Sequence, residues 1–277
     1  MMQIDGALAD LRSLVDRYGT LDPDLAAGPT RLPEGHRIPD DGGRGWDFGI
    51  TLVPPPGEEP PVESAVLVLF GALDDQPSHF HASAVPEDLD LLLTQRSLSL
   101  RHHPGQVAFP GGRKDAEDAD HAHCAVREAE EETGLDRDGV RVIGTLPPAP
   151  LTVSNFQVTP VVGWWDRPSD VFVVDEGEAA RVFRVPVADL VDPANRVTTA
   201  LRRGAAGNVQ VFRSPAFLVS DTLVWGFTAI LIDRILDLLG WSQDWDRKRI
   251  VDITDWDSTM PVPTLEAPAT VPAEQRD

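Results

Sequence analysis

Glutamates crowd one short stretch of the chain, and their spacing indicates a site for a cation. The segment REAEEETGL (127–135) places Glu128, Glu131 and Glu132 within an arc of about 100° if it is helical. Each pair of carboxylates about 5 Å apart repels by on the order of 3 kcal/mol, and Arg127 alone cannot neutralise them. Mg²⁺ and Mn²⁺ prefer oxygen ligands, so a metal site is one interpretation. A solvated acidic helix face is the other.

The flanking residues predict a helix from about Ala119 to Thr133. Asp118 and Asp120 favour its N-terminus, and Gly134 is placed to end it. FPGG (109–112) ahead of the helix and Gly134 behind it give a loop–helix–loop, an arrangement suited to a metal–phosphate group. The helix also has an arc of small apolar residues that can pack against a sheet: Ala122, Ala125, Val126 and Ala129.

The segment 91–114 reverses the charge of the rest of the chain. The whole sequence has a formal net charge of -21, which argues against nucleic acid as a partner because phosphates would be repelled. Segment 91–114 nevertheless contains no acidic residue. It carries the basic residues Arg96, Arg101, Arg113 and Lys114, together with His102 and His103. This local patch predicts a place for a small anionic ligand.

REAEEETGL resembles the end of the Nudix box, whose pattern is G-x5-E-x7-R-E-U-x-E-E-x-G-U. The resemblance to the Nudix hydrolase superfamily implies that Glu128, Glu131 and Glu132 are catalytic and ligate Mg²⁺ or Mn²⁺. It implies that Arg127 orients them through ion pairs. It further implies hydrolysis of a diphosphate that is linked to another moiety.

The first half of the box departs from the family pattern. Counting five residues on from Gly111 leads to Glu117, and nine residues rather than seven then precede Arg127. Counting from Gly112 puts Asp118 at the glutamate position, with eight residues following. The sequence therefore leaves open which upstream acid takes part and what it does.

A second segment, LLTQRSLSLRHHPGQVAFPGG (92–112), resembles the signature of coenzyme A diphosphatases within the superfamily. The resemblance implies hydrolysis of coenzyme A or its thioesters to (acyl-)4′-phosphopantetheine and adenosine 3′,5′-bisphosphate. Arg96 and Arg101 offer planar cationic groups suited to phosphate, but either could instead pair with the acidic helix or brace the loop. The expected substrate-binding residues are Arg96, Arg101, Gly105, Phe109, Gly111 and Gly112.

The general base is harder to assign. One of the three glutamates could serve, and Glu178 is a further candidate because GEAARVFRVP resembles the acid-led loop and strand of the family. Two other functions stay open: hydrolysis of another nucleoside diphosphate derivative, such as ADP-ribose or a nucleoside triphosphate, and a non-catalytic Nudix-like binding module.

The apolar pattern predicts an α/β fold, and the resemblance implies a Nudix-type α/β/α sandwich with a mixed sheet and a loop–helix–loop metal site. Helices are expected over residues 3–18 and, as one long element, over 222–241. Strands are expected over 64–71, 90–97, 141–146, 156–165 and 180–187.

The expected domain organisation has three parts. Residues 1–63 form a helix and a Pro/Gly-rich extension, 64–245 form the Nudix domain, and 255–277 form a disordered tail. No run of eighteen apolar residues and no signal peptide is evident, and the only cysteine is Cys124. These features predict a cytoplasmic protein with no membrane partner, and they leave a homodimer open.

Overall fold

The computed structural model describes residues 4–23, 45–46, 60–72, 78, 80–101, 103–151, 155–205, 208–256 and 260. Most of the predicted irregular connection between residues 21 and 63, and most of the predicted tail 255–277, lie outside the described residues. Within the described part of the chain, no helix is long and apolar enough to cross a membrane.

The larger sheet has nine strands and is mixed. Its main order is β1-β6-β8-β2-β3-β4, with β5 on β2, β7 on β8 and β9 on β3. The long strands β2 and β8 pair in parallel, and the other pairs are antiparallel. The strands are β1 Thr20–Leu21, β2 Val62–Ala72, β3 Leu89–Arg96, β4 Val107–Ala108, β5 Gly111–Arg113, β6 Val140–Thr145, β7 Ala149–Leu151, β8 Phe156–Trp165 and β9 Ala179–Pro186.

The side chains of β2 alternate between two hydrophobic clusters, because successive residues of a strand point to opposite faces. Leu67 and Leu69 pack against the helix α2, His121–Thr133. Val68 and Phe70 pack in the main core on the other face, which includes residues of α1, Ile4–Tyr18, and of α4, Gly226–Leu239. The mixed sheet therefore lies between helical layers, and the predicted α/β/α sandwich is confirmed.

The N-terminal helix is confirmed close to its predicted limits, and it belongs to the main core. Leu11 and Leu14 of α1 are fully buried. The indole Nε1 of Trp241 donates a hydrogen bond of 2.8 Å to a carboxylate oxygen of Asp10, which links α1 to the residue that follows the C-terminal cap of α4. The following strand β1 pairs with β6. The domain boundary at residue 63 stays a prediction.

The prediction of a single long helix over residues 222–241 is wrong for the first residues of this range. Thr222–Val224 form a strand, β12, that pairs with the end of β11, Asn208–Val219. The helix α4 begins only at Gly226, whose φ of 68° suits glycine. A continuous apolar run does not distinguish a buried strand from a buried helix, and this run contains both.

A second sheet of four strands has the order β12-β11-β10-β13. Its centre is a long antiparallel hairpin formed by β10, Arg196–Ala205, and β11. The strand β13, Ile250–Asp252, runs parallel to β10, and the short helix α3, Val187–Val191, leads into this sheet from β9. The sequence pattern had not indicated this hairpin.

Candidate active site

The helix α2 holds the acidic residues in place through its caps and its buried face. It begins at His121, two residues later than expected, because the side chain of Asp120 caps it by accepting from the backbone N–H of His123 at 2.8 Å. Gly134, with φ of 69°, ends it as predicted. The small arc also packs as predicted: Ala125 and Ala129 are fully buried against β2, with Ala122 and Val126 beside them.

Arg127 lies at the centre of a network of carboxylates. Its Nε and Nη2 atoms both donate to the side chain of Asp118, each at 2.9 Å, which gives a two-pronged ion pair. Its Nη1 lies 3.0 Å from a carboxylate oxygen of Glu131 and 3.0 Å from one of Glu128. The predicted role of Arg127 in orienting the glutamates therefore has a geometric basis.

Asp118 is the upstream acid that engages this network. Its side chain is 1% exposed, and the backbone N–H of Asp115 also donates to it. Hydrogen bonds from Arg127 hold the pKa of Asp118 well below its ordinary value, although burial acts in the opposite direction. Glu117, the other candidate, is exposed. Asp118 was not among the expected site residues, although the count from Gly112 had pointed to it.

Glu128 fills the space next to Gly112 in β5. A Cβ atom at Gly112 would lie 2.5 Å from Cδ of Glu128, so a side chain at this position would force the Glu128 carboxylate to move. Burial raises the pKa of Glu128, while the neighbouring Arg127 lowers it. The FPGG turn and the acidic helix are therefore in direct contact, as the loop–helix–loop prediction requires.

Glu132 is the most perturbed acid of the helix. Burial raises the pKa of its carboxyl to about 8, and the charges of Glu128 and, more weakly, Glu178 act in the same direction. A backbone hydrogen bond from Gly111 and the charge of Arg96 oppose the increase. A buried carboxyl beside another carboxyl is a candidate cation-binding group, because a bound cation would offset the unfavourable effects of burial and of the neighbouring charge.

Glu131 is placed differently from Glu128 and Glu132. Its side chain is 58% exposed and pairs with Arg127. Within the described residues, no three acidic, histidine or cysteine side chains converge closely enough to hold a metal ion as they stand. The donor set fits a hard divalent cation in its chemistry, although Glu131 lies exposed on Arg127 while Glu132 is buried. The predicted triad stays a prediction.

Arg96 and Glu178 lie together at the end of β3. Ala179 pairs with Arg96 in the sheet, and the backbone N–H of Ser97 donates to the carbonyl of Glu178 at 2.8 Å. The charge of Arg96 lowers the pKa of Glu132, and the charge of Glu178 raises it. Residues from three separate parts of the sequence therefore meet at one site, although the roles of Arg96 and Glu178 stay predictions.

The other expected substrate-binding residues are dispersed around this site. Gly105, with φ of 66°, turns the chain so that its N–H donates to the carbonyl of Arg96. Gly111 touches Glu132 through its backbone. Arg101 is exposed in the loop after β3. Phe109 is 3% exposed and packs in the main core on the face opposite α2, so the structure does not bring its ring to the acidic group.

Comparison with known proteins identifies relatives over this region. The profile of the NUDIX domain matches residues 77–203. A Nudix hydrolase named NudL from Citrobacter koseri is 41% identical over 156 residues, which cover 54% of this chain and 75% of the relative. NudL from Yersinia enterocolitica is 37% identical over 163 residues, covering 57% of this chain and 80% of the relative.

Among solved structures, the crystal structure of the Nudix hydrolase RenU from M. smegmatis matches with a TM-score of 0.43 at 16% identity. The match covers 69% of this chain and 92% of that chain.

Proposed function

This chain belongs to the Nudix hydrolase family, and from that premise we propose that it cleaves the diphosphate bond of coenzyme A or its thioesters. The products would be (acyl-)4′-phosphopantetheine and adenosine 3′,5′-bisphosphate. The observation that carries the proposal is the placement of the segment 92–112, which resembles the coenzyme A diphosphatase signature. The charge of Arg96 and a backbone hydrogen bond from Gly111 both lower the pKa of Glu132 on α2. Gly112 lies directly against the carboxylate of Glu128 on the same helix.

Nudix hydrolases in general use divalent metal ions, and in this chain Glu128, Glu131 and Glu132 would hold Mg²⁺ or Mn²⁺. When bound, the ion supplies charge neutralisation for the diphosphate and acidifies a water molecule. Burial raises the pKa of both Glu128 and Glu132, and the ion pair with Arg127 offsets this only in part and only at Glu128. This is the feature of the site that fits such an ion.

Arg127 and Asp118 act as positioning residues. The two-pronged ion pair fixes the guanidinium, and its remaining Nη1 then holds Glu128 and Glu131 on the same side of the helix. Because Asp118 is buried and hydrogen-bonded to the backbone at Asp115, this arrangement is set before any ligand arrives.

Arg96 and Arg101 would bind the phosphates. Diphosphate hydrolysis depends mainly on positioning and on charge stabilisation, and coenzyme A adds a 3′-phosphate that calls for cations beyond the metal. Glu178 is the proposed general base, because it lies beside Arg96 and close enough to Glu132 to influence its pKa. A water molecule held between these acids would be activated for in-line attack.

The substrate assignment is tested by incubating the purified full chain with Mg²⁺ or Mn²⁺ and a panel of coenzyme A, acetyl-coenzyme A, ADP-ribose and nucleoside triphosphates. Products are identified by mass. We expect turnover of the coenzyme A compounds in preference to the others, and none after chelation of the metal.

Turnover of ADP-ribose or of a nucleoside triphosphate without turnover of coenzyme A would contradict the proposal in favour of another Nudix substrate. No turnover of any compound would favour a binding module. The glutamates on α2 argue against a binding module, because they repel one another and a protein without catalytic activity has no need of them.

A further inference from the structure

The β10–β11 hairpin extends away from the body of the protein. We define the arm as residues 202–204 of β10 and 209–213 of β11. All these residues are exposed, and because successive strand residues point to opposite faces, both faces of the arm meet solvent. An isolated two-stranded hairpin is marginally stable in water, so the pairing of further strands along the arm would stabilise it.

The arm also exposes apolar side chains and a strand edge. Val209, Val211 and Phe212 are 55%, 45% and 52% exposed. The outer edge of β10 is covered where the N–H of Arg202 donates to Thr254 Oγ1 at 3.1 Å. By contrast, β12 pairs with β11 only at residues 217–219, so within the described chain no strand covers the outer edge of β11 along the arm.

The exposed edge of β11 lacks the usual protection against pairing with another strand. Natural edge strands are blocked by lysines, prolines, bulges or a covering segment. Residues 209–213, VQVFR, carry one charged residue, Arg213, at the end nearer the body; the other four are uncharged, none is a proline, and the segment is rich in strand-forming types. Pro215 interrupts the edge only nearer the body.

We propose that the arm is a homodimer interface in which β11 pairs antiparallel with β11 of a second copy across a two-fold axis. The two four-stranded sheets would become one continuous sheet, and the isologous contact is closed, as in most homodimers. A two-fold axis at Val211 places Val211 opposite its own copy and Val209 opposite Arg213. Val209, Val211 and Phe212 then gain cross-strand neighbours from the same contact that satisfies the strand edge.

Charge favours a second copy of this chain over other partners. The arm carries Arg202, Arg203 and Arg213 and no acidic residue, whereas the chain as a whole has a formal net charge of -21. At long range each basic arm is attracted to the acidic bulk of a second copy, whereas in the paired contact the two arms meet each other and their arginines have to be kept apart. In the proposed register the two copies of Arg213 lie four residues apart along the strands, about 13 Å, which is beyond the screening length of about 8 Å. The same net charge repels nucleic acid and anionic membranes.

The interface is tested by measuring the mass of the full chain by light scattering during size-exclusion chromatography over a range of concentrations. We expect a dimer for the wild type and a monomer for Val211→Lys, since a lysine at the two-fold axis meets its own copy. The matched control is Val174→Lys, which changes another valine that is 51% exposed and should leave the dimer intact. Circular dichroism checks that both variants are folded.

A second measurement locates the contact without relying on disruption. With molecular oxygen as oxidant, Val211→Cys should form a disulfide-linked dimer, while Val174→Cys should not, and the native Cys124 is buried. A wild-type chain that is monomeric throughout would overturn the proposal, as would a dimer that Val211→Lys leaves unchanged. Binding of a monomeric chain to anionic vesicles through the arm would overturn it in favour of a membrane partner.

Discussion

At the scale of single residues, the glutamates of α2 fall into two environments. Glu130 and Glu131 face solvent, where each pairs with an arginine, Arg137 and Arg127 respectively. Glu128 and Glu132 contact the Gly111–Gly112 turn, where burial raises the pKa of both carboxyl groups. Buried acids that lack full compensation destabilise the ion-free protein, and this cost indicates a role in binding or chemistry.

Replacing Glu132 by glutamine should lower activity and raise stability at the same time. The rate should fall by about 100-fold or more, the scale seen when a group that stabilises reacting charge is removed. In chelator-treated wild type, the folded Glu132 keeps its proton up to about pH 8, whereas the unfolded one loses it near 4.5. Stability is therefore lost as pH rises through this window, and Glu132→Gln should escape that loss.

Steady-state rates and melting temperatures between pH 5 and 9 check both effects. Glu131→Gln should share the fall in activity, since Glu131 is a proposed metal ligand. Glu130→Gln is the matched control, because Glu130 lies on the same helix but pairs outward with Arg137, and it should leave the rate near normal. Near-normal rates for both Glu131→Gln and Glu132→Gln would reject the ligand assignment.

The variant Asp118→Asn tests which of the two upstream acids, Glu117 or Asp118, takes part in the site. Removing the charge of Asp118 leaves Arg127 without its two-pronged partner in a buried place, which should cost on the order of 3 kcal/mol of unfolding free energy. The rate should fall as well, because Glu128 and Glu131 lose a fixed Arg127. Denaturant unfolding and kcat measure the two effects. Glu117→Gln, an exposed change one residue away, should alter neither, and a larger effect from it than from Asp118→Asn would reverse the assignment.

At the scale of elements, the site depends on the contact between β5 and α2. Sheet pairing of β5 with β2 holds Gly112 against the helix, and the caps at Asp120 and Gly134 set which turn of the helix faces it. The acidic residues can thus be placed correctly only when the loop, the strand and the helix are all formed.

Gly112→Ala should inactivate the protein without unfolding it. The φ of Gly112 is not in the left-handed region, so alanine is tolerated by the backbone, but its Cβ would meet the Glu128 carboxylate at 2.5 Å. The flexible glutamate side chain is expected to move, which displaces a proposed metal ligand. A loss of activity with a melting temperature close to that of wild type is the expected result. Unchanged kcat would show that the position of Glu128 does not matter.

The sequence predicted elements well where apolar runs were short and bounded by turns. β8 is observed over the predicted residues, and β3 within one residue at each end. The β10–β11 hairpin was missed because its arginines and glycines interrupt the apolar alternation that identifies a strand. Among site residues, those of the helix follow from spacing, whereas the meeting of Glu178 with Arg96 depends on long-range strand pairing that no local pattern encodes.

At the scale of the whole molecule, the N-terminal helix completes the core on the face opposite the site. Leu11, Leu14 and Val15 of α1 are fully buried, in the same cluster as Trp241 beyond α4. The sequence showed the apolar stripe of this helix but not its partner surface, because the intervening segment gives no pattern that fixes the distance. The global stability of the protein should therefore depend on α1.

Leu14→Ala should lower the unfolding free energy by about 2–5 kcal/mol, the range for large-to-small changes in a packed core. Asp16→Ala, an exposed change on the same helix, should be within about 0.5 kcal/mol of wild type. Urea denaturation followed by circular dichroism measures both. Equal stabilities of the two variants would show that α1 is not part of the cooperative core.

Calorimetric titration of Mn²⁺ into the chelator-treated full chain measures whether the acids of α2 hold the metal ion on which the proposed hydrolysis depends. We expect saturable uptake by the wild type and by Glu130→Gln, and its loss in the double variant Glu128→Gln, Glu132→Gln. No uptake by the wild type with coenzyme A present, or uptake that the double variant retains in full, would show that Glu128 and Glu132 do not hold the ion.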